Sequence, residues 1–200
     1  VKAFVKKGFD MHLLHFQERF TMKGQRGFTL IEVIVVASII AILAGILVPM
    51  IFNQIDEARI ARAQADSKSI STAILMFRKD TGKWPLYLAG DCSQTYDTLE
   101  GIGTPPPNPL GDWKIGTNNS AIASLLNLAA NDACYNNSKA LSYLPQEPVA
   151  DPWNYRYVVN AANFAGSNPV WVISGGPDGK IDTAVNSQTL AGDDIGVRIK

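Results

Sequence analysis

Histidine and cysteine are scarce, with two of each in 200 residues. Both histidines, His12 and His15, precede residue 28. A Cys/His zinc centre therefore lacks ligands. Neither a GxSxG elbow nor a phosphate-binding glycine loop occurs. Charge is sparse as well. Asp, Glu, Lys and Arg make up 18% of the chain, and 18 bases balance 18 acids. A neutral chain has no global attraction to polyphosphate, so no nucleic-acid contact is expected. The apolar fraction, 46%, excludes a disordered chain. With so few catalytic groups, an enzyme is not expected.

What is present is unevenly spread. Residues 1–27 hold Lys2, Lys6, Lys7, Arg19, Lys23 and Arg26 against Asp10 and Glu18. The rest of the chain is net acidic. Residues 28–52 then read FTLIEVIVVASIIAILAGILVPMIF, with Glu32 the one ionisable side chain. As a helix this run is about 37 Å long, enough to cross about 30 Å of hydrocarbon. Lys23 and Arg26 precede it, and Asp56 and Glu57 follow. The positive-inside rule puts the N-terminus in the cytoplasm and the C-terminal part outside. A carboxylate in such a helix is costly, by about 2.5–3.5 kcal/mol at the bilayer centre. A favourable interaction with the helix dipole accounts for an acid in the first turn.

The stretch Lys23-Gly24-Gln25-Arg26-Gly27-Phe28-Thr29-Leu30-Ile31-Glu32 resembles the processing site of the type IV pilin superfamily. That resemblance implies a basic leader, residues 1–27, removed by a prepilin peptidase that cuts after Gly27 and methylates the new amine of Phe28. Met22 would start a leader of a length common in the family. The resemblance further implies that Glu32 pairs with the Phe28 amine of a neighbouring subunit during filament assembly. Such a pair at about 4 Å gains about 4 kcal/mol at an effective dielectric near 20, before desolvation. Pro49 falls where many helices of the family carry a proline, and it should kink the helix.

The helix is expected to continue through 53–82. Ile70, Ala73, Ile74 and Phe77 form an apolar stripe at helical spacing, and Gly82 and Pro85 end it. Residues 83–150 read as an irregular connector. It holds a proline-rich loop around Pro105–Pro109 and a short helix over 121–130 capped by Asn118, Asn119 or Ser120. Cys92 and Cys134 lie in the part assigned to the oxidising side of the membrane, where a disulfide is expected; two buried thiols are the alternative. Residues 151–200 carry the strand signals: 155–159, 170–174 and 195–199. The expected fold is α+β, a pilin-like long helix on a small antiparallel sheet.

Oxygen donors gather near the C-terminus: Ser174, Asp178, Asp182, Asp193 and Asp194. Calcium takes six to eight such ligands, whereas a solvated acidic turn needs none. The glycine-aspartate-glycine turn and the later acidic pair are similar to the calcium loop of the major pseudopilins of type II secretion. Residues 77–85 and Asp151-Pro152-Trp153-Asn154 are similar to other segments of that branch. The resemblance implies a subunit of a periplasmic pseudopilus that drives protein export. Its partners would be further copies of itself, minor pseudopilins, the prepilin peptidase, an inner-membrane assembly platform with its ATPase, and lipid before assembly. A subunit of a type IV pilus for adhesion, motility or DNA uptake is the alternative. A membrane-anchored binding or enzymatic head is a third, which leaves Glu32 without a role.

Overall fold

The computed structural model describes residues 27–88, 91–135, 137–144 and 146–200. Of the basic leader, only Gly27 falls among them. The chain divides into two units after Leu47.

One helix, α1, runs over Leu30–Thr81. It is the one described helix long and apolar enough to cross a membrane. Pro49 lies inside it, and the helix continues beyond. In the first unit every described side chain is exposed, including Ile31, Val35, Ile39 and Leu43. Burial along α1 begins at Ala63 and picks out Ser67, Ile70, Ala73, Ile74 and Phe77. This is the i, i+3, i+4 stripe of a helix with one face on a core. The helix ends as expected: the Gly82 N–H returns to the Arg78 carbonyl at 2.9 Å. Gly82 has φ +72°, a left-handed cap open to glycine.

The second unit builds the head. Its strands are β1 (Tyr87–Leu88), β2 (Asp91–Thr95), β3 (Thr98–Glu100), β4 (Asn119–Ala121), β5 (Asn127–Leu128), β6 (Leu141–Ser142), β7 (Val158–Val159), β8 (Trp171–Ser174) and β9 (Ile195–Arg198). Five of them form the central sheet in the order β4-β3-β7-β8-β9. Three of its pairings are antiparallel, but β3 and β4 run parallel, with Leu99 opposite Ser120. The sheet is therefore mixed rather than purely antiparallel, and two of its strands come from the expected connector. The expected strand over 155–159 shrinks to Val158–Val159. The Tyr155 N–H is taken by the Asp151 carboxylate instead of a neighbouring strand.

Both faces of the sheet are covered. Val159 and Val172 face the helix stripe with Leu99, Tyr157 and Leu126. Val158, Trp171 and Ile173, one residue out of phase, pack with Trp113 and Ile181. That split follows from the two-residue period of a strand. Tyr157 also donates to Asp66 Oδ2 at 3.1 Å, tying α1 to the sheet. The short helix α2 covers only Ile122–Leu126, and no residue among Asn118–Ser120 caps it. Glu147 does so from 25 residues away, its two oxygens accepting the Ile122 and Ala123 N–H groups at 2.9 and 2.8 Å.

Candidate functional site: the helix start and the C-terminal acidic turn

Two places hold the residues singled out from the sequence. At the start of α1, Phe28 is 87% exposed. Glu32 Oε2 accepts the Thr29 backbone N–H and the Thr29 hydroxyl, both at 2.8 Å. The Thr29 hydroxyl oxygen in turn accepts the Glu32 N–H at 3.3 Å. This is a reciprocal capping box, Thr-x-x-Glu, which satisfies donors that a helix start leaves open. Thr29 was not among the expected site residues, although its spacing to Glu32 signals the box. Glu32 Oε1 makes no hydrogen bond among the described residues. One carboxylate oxygen thus fixes the helix start, and the other remains available to a donor from outside the chain.

At the C-terminal turn the sequence grouping separates. Asp178, Asp182 and Asp193 come together, with one carboxylate oxygen from each lying within 4.8 Å of the others. Gly176 makes the approach possible. It has φ +63°, and any side chain there would collide with the Asp193 carbonyl. Asp193 Oδ2 also accepts the Asp178 N–H at 3.0 Å. The Lys180 ammonium bonds Asp178 Oδ2 at 2.9 Å. That contact lowers the pKa of Asp178 and raises that of Lys180.

Ser174 and Asp194 stand apart from this trio. Ser174 is fully buried and donates to Asp151 Oδ2 at 2.5 Å. Asp151 Oδ1 accepts the Trp153 and Tyr155 N–H groups, so the Asp-Pro-Trp turn and β8 share one carboxylate. Asp194 turns inward. Its Oδ2 accepts the Asp182 N–H, the Thr183 N–H and the Thr183 hydroxyl at 3.0, 2.7 and 2.6 Å. Burial pushes its carboxyl up to about 6, against those hydrogen bonds. Asp194 Oδ1 is buried and has no hydrogen-bond partner among the described residues.

An all-oxygen trio from two segments of the chain suits a hard cation such as calcium. The unpartnered buried oxygen of Asp194, next in sequence to Asp193, is consistent with the same chemistry. The other two residues of interest, Cys92 and Cys134, are joined as a disulfide with Cα atoms 5.1 Å apart. It links β2 to the segment after α2.

Comparison with known proteins decides the family. The profile described as the prokaryotic N-terminal methylation motif matches residues 22–48. The chain is 31% identical to the type II secretion system core protein G of Pseudomonas aeruginosa over 158 residues, which is 79% of this chain and 87% of that protein. This chain belongs to the type II secretion core protein G family. The Escherichia coli member is 30% identical over 80% of this chain and 86% of its own. The type IV major fimbrial protein FimA of Dichelobacter nodosus is 37% identical, over half of this chain and 56% of its own. No solved structure matches. The family assignment accounts for the pairing of a methylation motif with a membrane-length helix, and it makes the chain a pseudopilin.

Proposed function

We propose that this pseudopilin is a filament subunit of a type II secretion apparatus. It is anchored by one membrane helix and then polymerised into a periplasmic pseudopilus that drives protein export. The observation that carries this reading is the N-terminal site. An exposed Phe28 stands beside a carboxylate with one oxygen uncommitted, at the head of an apolar helix that nothing in its own unit covers.

The chemistry runs in three steps. A prepilin peptidase hydrolyses the Gly27–Phe28 bond and methylates the new amine. The processed subunit waits in the inner membrane, with its N-terminus cytoplasmic and its head periplasmic. An assembly platform and its ATPase then lift it out of the lipid. Exposed apolar side chains exchange lipid contact for contact with other copies, a trade made by packing rather than by hydrophobic transfer. The Phe28 ammonium of one subunit meets Glu32 Oε1 of the next and sets the register. Pro49, which has no N–H to donate, gives the helix a point at which to bend as it packs. Minor pseudopilins start the filament.

In the head, Asp178, Asp182 and Asp193 would hold a calcium ion that ties the 176–182 segment to the 192–193 turn. Lys180 would swing out as the ion enters, since both cations use Asp178. Asp194 holds the turn from the inside through its Oδ2 and Thr183, and its buried Oδ1, unpartnered among the described residues, is a fourth candidate ligand.

Glu32→Ala tests the reading. It should still insert and still be cleaved, while the yield of filaments on overexpression of the assembly system falls severely. Wild-type filament yield from that variant contradicts the pairing. The similarity to the fimbrial protein supports a second reading, a surface pilus. Sheared surface material would then hold the processed chain, which a periplasmic pseudopilus would not release.

A further inference from the structure

The connector between α1 and the C-terminal strands holds a recess of about 250 Å³. Its back wall is the buried ring of Tyr135, packed edge-on against Phe77 at 4.9 Å and tilted against Tyr87 at 5.8 Å. Tyr135 Oη accepts the Leu86 and Tyr87 N–H groups at 3.1 and 3.2 Å. Burial pushes this phenol up to about 12, so it remains neutral and fixed. The Cys92–Cys134 disulfide and a 2.8 Å bond from Lys83 Nζ to the Cys134 carbonyl hold the adjoining backbone. The recess is therefore built before any ligand arrives, which lowers the ordering cost of binding.

The open side carries Tyr87, Tyr96, Ser124 and Asp132. The phenols of Tyr87 and Tyr96 and the hydroxyl of Ser124 make no hydrogen bond among the described residues. Asp132 commits one oxygen, Oδ1, to the Cys134 N–H. The chemistry of this lining rules out most ligand classes. An anion meets the Asp132 carboxylate, and the Lys83 ammonium is held by the Cys134 carbonyl, 5.5 Å from the centre of the Tyr87 ring. A metal ion finds a single carboxylate. A purely apolar ligand would strip water from three hydroxyls and give nothing back. A ligand with a flat C–H face and a rim of hydroxyls suits both parts. Weakly positive C–H groups lie well on the negative face of an aromatic ring. The hydroxyls pair with phenol, serine and carboxylate. At about 250 Å³ the recess is smaller than a typical drug-sized ligand pocket and has room for no more than one six-membered ring.

We propose that this recess binds one neutral pyranose unit of a glycan against Tyr87 and Tyr96. This goes beyond the filament reading and does not depend on it. A plain hexose and an N-acetylated hexosamine share that face, so the source is either an exported or surface polysaccharide or the cell-wall polymer.

The test uses the full chain in lipid nanodiscs, free of glycoside detergent. Saturation-transfer NMR is run with methyl glucoside, methyl N-acetylglucosaminide and, as a flat aromatic control, adenosine. Saturable transfer to a sugar is expected, with a millimolar dissociation constant. Preference for the plain hexose points to a polysaccharide, and preference for the N-acetyl sugar to the wall. Tyr96→Ala should weaken binding about tenfold, and Ser124→Ala, at an exposed position that leaves the fold intact, about threefold. Leu110→Ala, outside the recess, should change nothing. Absence of transfer to both sugars, equal transfer in wild type and both recess variants, or preference for adenosine would overturn the proposal.

Discussion

Two stretches of the same helix, α1, follow opposite rules. Between Leu30 and Leu47 apolar side chains point in every direction, and all are exposed. Between Ala63 and Thr81 one stripe, Ala63, Ile70, Ala73, Ile74 and Phe77, is buried, while Leu75 and Met76 off the stripe stay exposed. The first stretch is written for a solvent that is apolar all round, and the second for water on one side and a protein core on the other. The contrast shows that one helix carries two surfaces suited to two different surroundings. The head buries its own core, whereas the first stretch leaves its apolar side chains exposed.

The sharpest way to break this contrast is to truncate one large side chain in each stretch. Phe77 is fully buried between Tyr135 and Tyr143. Phe77→Ala should cost about 3–5 kcal/mol of head stability, read by tryptophan fluorescence in a urea titration. Ile39→Ala, in the exposed stretch, should leave the same curve within about 0.5 kcal/mol. Equal effects would mean that the two stretches do not have separate partners.

A somewhat smaller effect sharpens the view of the head as self-sufficient. Glu100 is buried on β3 and paired with Arg156 at 2.6 Å. Burial raises its carboxyl, but hydrogen bonds from Gly116, Asn119, Arg156 and Thr98 outweigh this and hold it below its ordinary 4.5. The folded state therefore binds fewer protons than the unfolded state in the window just below 4.5. The stabilisation is present above 4.5 and is lost as pH falls from there through the lower folded-state value. Arg156→Met should destabilise the head by about 3 kcal/mol at neutral pH, because it strands a buried charge. The loss should shrink on acidification below 4.5, which pH-dependent urea curves would reveal.

The smallest effect lies at the C-terminal turn. Millimolar calcium should raise the melting temperature of wild type, as expected for a ligand that binds only the folded state. Asp178→Asn and Asp193→Asn should abolish the rise, while Asp178→Asn also frees Lys180. An unchanged midpoint with calcium in the wild type removes the ion from the account.

How far the sequence could be read depends on whether each signal is local. The long helix and its stop at Gly82 are written in contiguous residues that periodicity and cap signals find, and the Phe28–Glu32 site is legible through its resemblance to a known processing motif. The strands β3 and β4 are three residues each and pair across a gap of about twenty, so Thr98 and Asn119 carry no local mark of each other. Trp113, which closes the second face of the sheet by donating to the Thr183 carbonyl at 2.7 Å, sits in a proline-rich stretch that reads as loop. The cap of α2 comes from Glu147, across a distance that no capping rule spans. At the acidic turn, composition gathered five oxygen donors, but it could not say which were already engaged. Asp151 takes Ser174, and Thr183 takes Asp194, through contacts fixed only by folding.

The most direct test of the whole reading is the intact mass of the chain extracted from membranes of cells that express the prepilin peptidase. The expected mass is that of a polypeptide beginning at N-methylated Phe28. A chain that keeps Gly27 and the residues before it, in the presence of active peptidase, would contradict the central claim that this helix start is a processed assembly site.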